Sequence, residues 1–284
     1  MDETRLARIR IVLVEPAGPL NVGAVARVMK NLLLRHLVLV NPQCDPLGED
    51  ARKMAVHAVD ILEDAQIVGT LPEALTGCQR AIATTARSRS LDTHLEVPTA
   101  GLPWLLEEPL PSALIFGPED RGLSNAELNY AQRFVRIPTN PEYPSLNLAQ
   151  SVAICCYELT IACQQRSAVG DQLLTTRDQI LLNSHPSPVT SHPLPPTPQP
   201  ASEIATLDVL EGYYQQMEAV LLKIGYLYPH TATSRMEKLR RLFNRANPST
   251  AEVAMLRGIF SQMEWALQFL PKPVVPELDQ QDNP

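Results

Sequence analysis

The sequence predicts an α/β protein: an open, mostly parallel sheet followed by a small all-helical C-terminal extension. Three observations predict it. Short apolar runs alternate with helix-patterned stretches through the first half of the chain, and those runs do not alternate with polar residues. A proline- and serine-rich stretch then separates this half from three further helical patterns. Strands that stay apolar at successive positions are buried on both faces, as in a parallel sheet covered by helices.

In chain order, Ile11 to Val14 reads as the first strand and Val22 to Leu33 as the helix after it. Leu37 to Val40 is the second strand, followed by a helical pattern over Asp50 to Leu62 and a weaker strand at Gln66 to Val68. Arg80 to Thr84, Ala113 to Phe116 and Phe134 to Ile137 complete the strands, with helical spacing at Thr99 to Glu107 between them. Asn147 to Gln165 is apolar around most of its circumference, so this helix should be buried, and Asn147 can cap it. Ser184 to Ser202 is an extended linker by composition. Glu203 to Ile224, Arg235 to Phe243 and Thr250 to Phe269 are helical patterns, the last with a capped start at Pro248-Ser249-Thr250 followed by Glu252 and Glu264. The expected division is 1–168 as the catalytic-size domain, 169–202 as linker, 203–272 as helical extension and 273–284 as tail.

Composition narrows the functional classes. The 284 residues are 45% hydrophobic and 19% charged, enough for a substantial core. No apolar run approaches membrane-spanning length and no signal peptide is visible, so a soluble cytoplasmic protein is expected. Five cysteines with no CxxC spacing, and six histidines with no ligand spacing, predict neither a disulfide framework nor a metal site. The net charge of −7 opposes nucleic-acid binding by the whole surface, but Arg235, Lys238, Arg240, Arg241 and Arg245 form a local basic stretch against Glu237 alone. There is no strand followed by GxGxxG and no GxxxxGK[ST], which argues against a dinucleotide oxidoreductase and a P-loop NTPase.

Three segments carry chemistry, each beside a strand end. Glu15 to Arg27 (EPAGPLNVGAVAR) passes through a Gly/Pro turn into a helix bearing Asn21 and Arg27; taken singly, Asn21 reads as an N-cap and Arg27 as a surface cation. Gly23 and Ala24 permit close approach of a neighbouring backbone. Leu114 to Ser124 (LIFGPEDRGLS) runs from a buried strand into a glycine turn bearing Glu119, with Ser124 available as a cap. Ligands of open α/β sheets collect at such strand ends. Ile137 to Leu148 (IPTNPEYPSLNL) holds Ser145 and Asn147 at a helix start behind three prolines.

Together and in this order, the three segments resemble the signature motifs of the SPOUT superfamily of RNA methyltransferases, in its TrmH-like ribose 2′-O-methylating branch. The likeness runs over about residues 9–165. Thr84 to Arg89 (TTARSR) and the C-terminal stretches LRRLFNR and VAMLRGI are similar to the members that methylate cytidine or uridine 32 of tRNA. The resemblance implies a deep C-terminal trefoil knot with about Pro138 to Gln165 threaded, a homodimer with each site near the interface, and S-adenosyl-L-methionine as methyl donor. It implies cofactor contacts at Thr84, Thr85, Ala86, Gly117, Ile137, Pro144, Ser145 and Leu146, and catalytic positions at Asn21, Arg27, Glu119, Ser145 and Asn147. Arg87 and Arg89 would meet RNA, as would Arg235, Lys238, Arg240, Arg241 and Arg245.

In that branch the arginine matching Arg27 activates the hydroxyl. A guanidinium has a pKa above about 12 and no lone pair to take a proton. The chemistry is better served if Arg27 holds the adjacent phosphate and stabilises the developing alkoxide. Two other readings stay open at this point: a ribose methyltransferase of another tRNA position or of rRNA, and a non-catalytic RNA-binding protein of the same fold.

Overall fold

The computed structural model describes residues 3–86, 94–183 and 203–269. In chain order the elements are α1 (Glu3–Leu6), β1 (Ile9–Val14), α2 (Pro19–Asn31), β2 (His36–Val40), α3 (Glu49–Ala55), α4 (Val59–Glu63), β3 (Gln66–Val68), α5 (Leu71–Ala74), β4 (Arg80–Thr84) and β5 (Leu95–Glu96). Then come α6 (Pro98–Gly101), a 3₁₀ turn (Leu102–Leu106), β6 (Ser112–Phe116), α7 (Asn125–Leu128), β7 (Arg133–Val135), α8 (Leu148–Asn183), α9 (Leu207–Lys223), α10 (Pro229–Ala246) and α11 (Thr250–Leu267). The seven strands form one sheet in the order β3-β2-β1-β6-β4-β7-β5, and every pairing is parallel.

The uninterrupted apolar runs are explained by this sheet. Ile11 and Leu13 of β1, Leu37 and Leu39 of β2, Ile82 of β4, and Leu114 and Phe116 of β6 face a core built with α2, α3, α4, the 3₁₀ turn and α8. Their neighbours Val12, Val14, Val38, Val40, Ala81, Ala83, Ala113 and Ile115 face the opposite core. Successive side chains point to opposite faces, so both sets are apolar because both faces are covered.

The second core is shared by α5, α7 and the C-terminal helices. Leu207, Leu210, Tyr213, Tyr214 and Met217 of α9 are buried in that core with Met236 of α10 and Val253 of α11. Side chains of this size each contribute about 1.5–3 kcal/mol when fully buried. Backbone and side-chain bonds fix the register: Leu207 N–H donates to Cys78 O (2.7 Å), Gly77 N–H to Asp208 (2.9 Å) and Gln79 to Ile204 O (2.7 Å). The helical extension is therefore a layer of the same fold.

Several boundaries differ from the sequence expectation. The single helix expected over Asp50 to Leu62 is two, broken where Val56 takes a φ of 56°; both halves pack on α2, and the break turns Ile61 and Leu62 into the core. Phe134 to Ile137 forms a strand only to Val135. Helix α8 passes Gln165 and continues to Asn183, through the first part of the expected linker, because no proline interrupts it before Pro186. The two-residue strand β5 and the single turns α5 and α7 are too short to carry a period, and were not expected. Gly23 does serve close approach: a Cβ there would lie 2.2 Å from Ala51 O, so only glycine lets α2 and α3 touch.

Candidate active site

The first, second and third motif segments, which span from Glu15 to Leu148 in the sequence, meet at the carboxyl ends of β1, β4, β6 and β7. A cleft there is lined by Thr84, Thr85, Ala86, Gly117, Glu119, Ile137, Pro144, Ser145 and Leu146, together with Phe116, Pro118, Asp120, Arg121, Gly122, Leu123, Val135, Leu148 and Ser151. Every residue expected to contact the cofactor is in the first group.

At its rim three side chains are chained together. Glu119 accepts from Ala17 N–H (3.1 Å), Gly18 N–H (3.2 Å) and the Asn21 amide (2.8 Å). Asn21 in turn accepts from the Asn147 amide through Oδ1 (3.0 Å). The free Asn147 oxygen accepts from Ala149 N–H (2.9 Å) and Gln150 N–H (3.3 Å) at the start of α8, the cap that the sequence predicted. Asn21 itself is no cap: Gly18 holds that position of α2, and Asn21 sits within the first turn, its amide turned to Glu119 and Asn147. Each group is oriented by the next, which fixes the flip of both amides.

A second network, missed from sequence, braces the glycine turn. Arg121 binds Glu127 in a fork (2.9 and 3.0 Å) and reaches Glu15 at the end of β1 (2.6 Å). Glu15 also accepts from Asn41 at 3.3 Å. Glu15 and Asn41 follow adjacent strands with φ of 47° and 45°, a conformation uncommon for a glutamate. Glu127 completes a capping box with Ser124. Partial burial pushes its carboxyl up, but the Arg121 guanidinium and the Ser124 N–H and hydroxyl outweigh this and hold it below the usual carboxylate range. The available signal was the Ser124–Glu127 spacing; that Arg121 would bridge to Glu15, 106 positions away, was not legible.

The turn itself demands Gly117. A Cβ there would lie 2.3 Å from Leu123 N, so the chain could not fold back on itself. On the opposite wall, Thr139 donates to Pro144 O (3.0 Å) and Tyr143 N–H to Asn140 O (3.0 Å), stiffening the approach to Ser145. Apolar side chains of Phe116, Val135, Ile137 and Leu148 alternate with the accessible backbone of the 117–122 and 144–146 turns. Such a mixed lining suits an adenosyl group, which has flat apolar faces and a polar edge.

Not every expected site residue is in the cleft. Arg27 is exposed on α2, about 9 Å along the helix axis from Asn21, and is not among the lining residues. Arg87 and Arg89 lie outside the described residues. In α10, Arg240 is bound to Glu211 of α9, with side chains only 14% and 13% exposed, and its guanidinium lies 4.6 Å from the Tyr214 ring centroid. Arg241 pairs with Glu237 at 3.8 Å. Arg235, Lys238 and Arg245 are exposed and make no ion pair among the described residues. No cluster of three or more metal-ligating side chains occurs among the described residues, nor any helix long and apolar enough to cross a membrane.

Comparison with known proteins adds independent findings. Residues 8–157 match the SpoU rRNA methylase family and residues 208–272 match the C-terminal domain of the tRNA methyltransferase TrmJ. The tRNA (cytidine/uridine-2′-O-)-methyltransferase TrmJ of Pectobacterium atrosepticum is 40% identical over 264 residues, covering 91% of this chain and 98% of its own. The tRNA (cytidine/uridine/adenosine-2′-O-)-methyltransferase TrmJ of Pseudomonas aeruginosa is 38% identical over 262 residues, again 91% of this chain and 95% of its own. Among solved structures, TrmJ from Z. mobilis is similar at a TM-score of 0.72 and 27% identity, over 90% of this chain and 98% of that one. A probable methylase family protein from Haemophilus influenzae matches at a TM-score of 0.57 and 28% identity, over 94% of this chain and 99% of that one.

Proposed function

The chain belongs to the SpoU methylase family, among the TrmJ-type S-adenosylmethionine-dependent tRNA 2′-O-methyltransferases, and we propose that its target is the ribose of cytidine or uridine 32 in the anticodon loop. The observation that carries the reading is the convergence of the three motifs: Asn147 to Asn21 to Glu119, hydrogen-bonded at the rim of one cleft. Position 32 rests on the C-terminal stretches that resemble the enzymes acting there.

S-adenosylmethionine, when bound, supplies an electrophilic sulfonium methyl. The 117–122 turn, Thr84 to Ala86, Ile137 and the Pro144 to Leu146 turn would hold it, chiefly through backbone groups. Asn21, Glu119 and Asn147 are assigned to fixing the turns that face the incoming ribose. Ser145, exposed at the cleft wall, is assigned to the sugar or the cofactor. Alignment of this kind can supply about 7–11 kcal/mol in favourable cases. Arg27 is assigned to the phosphate beside the target ribose, where its charge stabilises the developing alkoxide while the proton leaves through phosphate or water. No role for a metal arises in this chemistry.

The same reading includes the trefoil knot, with Pro138 to Gln165 as the threaded piece; burial of Val152, Cys155, Cys156 and Leu159 supports it. It also includes a cytoplasmic homodimer with the site beside the interface. Arg27 is compatible with the dimer, because it is exposed and lies outside its own chain's cleft, where a second copy's site can take it. The division of labour between transfer by 1–168 and tRNA binding by 203–272 is retained, although α8 extends to Asn183 through the first part of the 169–202 stretch expected as linker.

The test is methyl transfer from labelled S-adenosylmethionine to unmodified tRNA, with the product mapped by resistance of the 3′ phosphodiester to alkali. Label confined to residue 32 is expected. Label at another position would reject the narrow reading.

A further inference from the structure

The turn between α9 and α10 is built to present aromatic rings to solvent. Gly225 takes a φ of 77° and closes α9, with Tyr226 N–H and Leu227 N–H both donating to Leu221 O at 3.0 Å. The chain then runs extended through Tyr228 (φ −117°, ψ 148°) into Pro229. Alternation in an extended segment sends Leu227 inward, where it is 1% exposed, and the tyrosines on either side outward, at 56% and 53%. Burial of Leu227 thus anchors the turn and holds both rings in water.

Neither ring is idle surface. The Arg235 guanidinium lies 5.6 Å from the Tyr226 ring centroid and donates to Tyr226 O at 2.6 Å. Tyr228 stacks on His230 with centroids 5.9 Å apart and planes 24° from parallel. Below them, Arg235, Lys238, Leu242 and Arg245 recur at spacings of three and four on the outward face of α10, all exposed. Arg240 is turned away from this stripe and tied to Glu211 of α9, Arg241 flanks it and pairs with Glu237 on the same helix, and the first turn of α10 carries no acid. A pair of exposed rings at the head of a cationic stripe is the pattern of single-stranded nucleic-acid sites: rings stack on unpaired bases while cations follow the phosphates.

We propose that Tyr226 and Tyr228, with Arg235 between ring and backbone, form a stacking platform for unpaired nucleotides of the tRNA. Lys238 and Arg245 continue the phosphate track along α10. The inference rests on the tRNA reading above and adds to it a second contact remote from the chemistry. It also explains how an acidic protein holds RNA: stacking supplies affinity that net charge does not.

The experiment compares full-length parent, Tyr226→Ala/Tyr228→Ala and Tyr226→Phe/Tyr228→Phe proteins for binding to a single-stranded oligouridylate, to a duplex RNA of equal charge and to tRNA. Alanine is expected to weaken oligouridylate and tRNA binding about tenfold per ring, and phenylalanine to restore it. Duplex binding should be unchanged, as should S-adenosylmethionine affinity, which reports a folded body. Equal oligouridylate affinity in the alanine variant, or equal loss in the phenylalanine variant, would overturn the platform. So would a change in molecular mass by light scattering on alanine substitution, which would make the patch a contact between copies. Methyl transfer by the parent protein is measured alongside; its absence would sink the function reading, whereas the platform is judged by the variants.

Discussion

Glu119 receives two backbone N–H groups and one amide from a segment about 100 positions earlier, so its charge organises the first motif as well as the cleft. A carboxamide at this position must turn a donor toward one of those donors. Hydrogen bonds to a charged group contribute about 1.5–3 kcal/mol, so Glu119→Gln should lower kcat/KM about 10- to 100-fold with little loss of secondary structure by circular dichroism. Arg27 is tested by its shape. If the planar fork holds a phosphate, Arg27→Lys should fall about as far as Arg27→Ala in single-turnover rate, on the order of 10²-fold; a lysine variant near parental rate would reduce the role to charge alone. Cys78 and Cys155 are inert by burial, which pushes the Cys78 thiol to about 11 and Cys155 to about 12. Iodoacetamide at pH 8 should leave both unmodified in the native protein, and rapid labelling of either would contradict this packing.

At the scale of the element, α7 and the turn before it depend on one ion-pair network. Glu127 is held below its ordinary range in the folded state, so its pairing with Arg121 stabilises the fold above the unfolded carboxyl's pKa. That contribution is lost as pH falls through the lowered folded value. Glu127→Gln should therefore lower the melting temperature at neutral pH and flatten its acid dependence; parallel acid limbs for variant and parent would exclude the network as the cause. The α2–α3 contact makes a second demand. Gly23→Ala places a methyl 2.2 Å from Ala51 O and should destabilise by about 1–3 kcal/mol in urea unfolding. Helix boundaries followed sequence chemistry where a cap or proline set them, as at Ser249, whose capping box with Glu252 is present. They departed from it at Val56, where the need to bury Ile61 and Leu62 overrode a continuous helical period.

Across the whole molecule, the C-terminal helices matter because they help cover one face of the sheet. Ending the chain at residue 183 would remove Leu207, Leu210, Tyr213, Tyr214, Met217, Met236 and Val253 from the core they share with Val12, Val14, Val38, Val40 and with Leu71, Leu75 and Leu128 of α5, the residue after it and α7. Such a chain is expected to melt at lower temperature and to bind an apolar dye that the full chain does not; an unchanged melting temperature with no dye binding would show the cover to be dispensable. The contacts of Arg240 with Glu211, Tyr214 and Tyr130 belong to this scale too. The basic stretch was legible as charge, yet only packing separated Arg240, which ties α10 to the body, from Arg235, Lys238 and Arg245, which face solvent.

The strands, their double-sided burial and the helix start at Asn147 were written locally, in runs, spacings and turn residues, and local signals of that kind survive in a linear text; the candidate cleft residues came through the resemblance of the three motifs to a known family. Strand order, the bonds joining Asn147, Asn21 and Glu119, the reach of Arg121 to Glu15, and the outward aim of Tyr226 and Tyr228 were decided only in three dimensions. Each depends on which distant backbone ends up within about 3 Å, or on which neighbour is taken by the core, and neither is set by the period of any single segment.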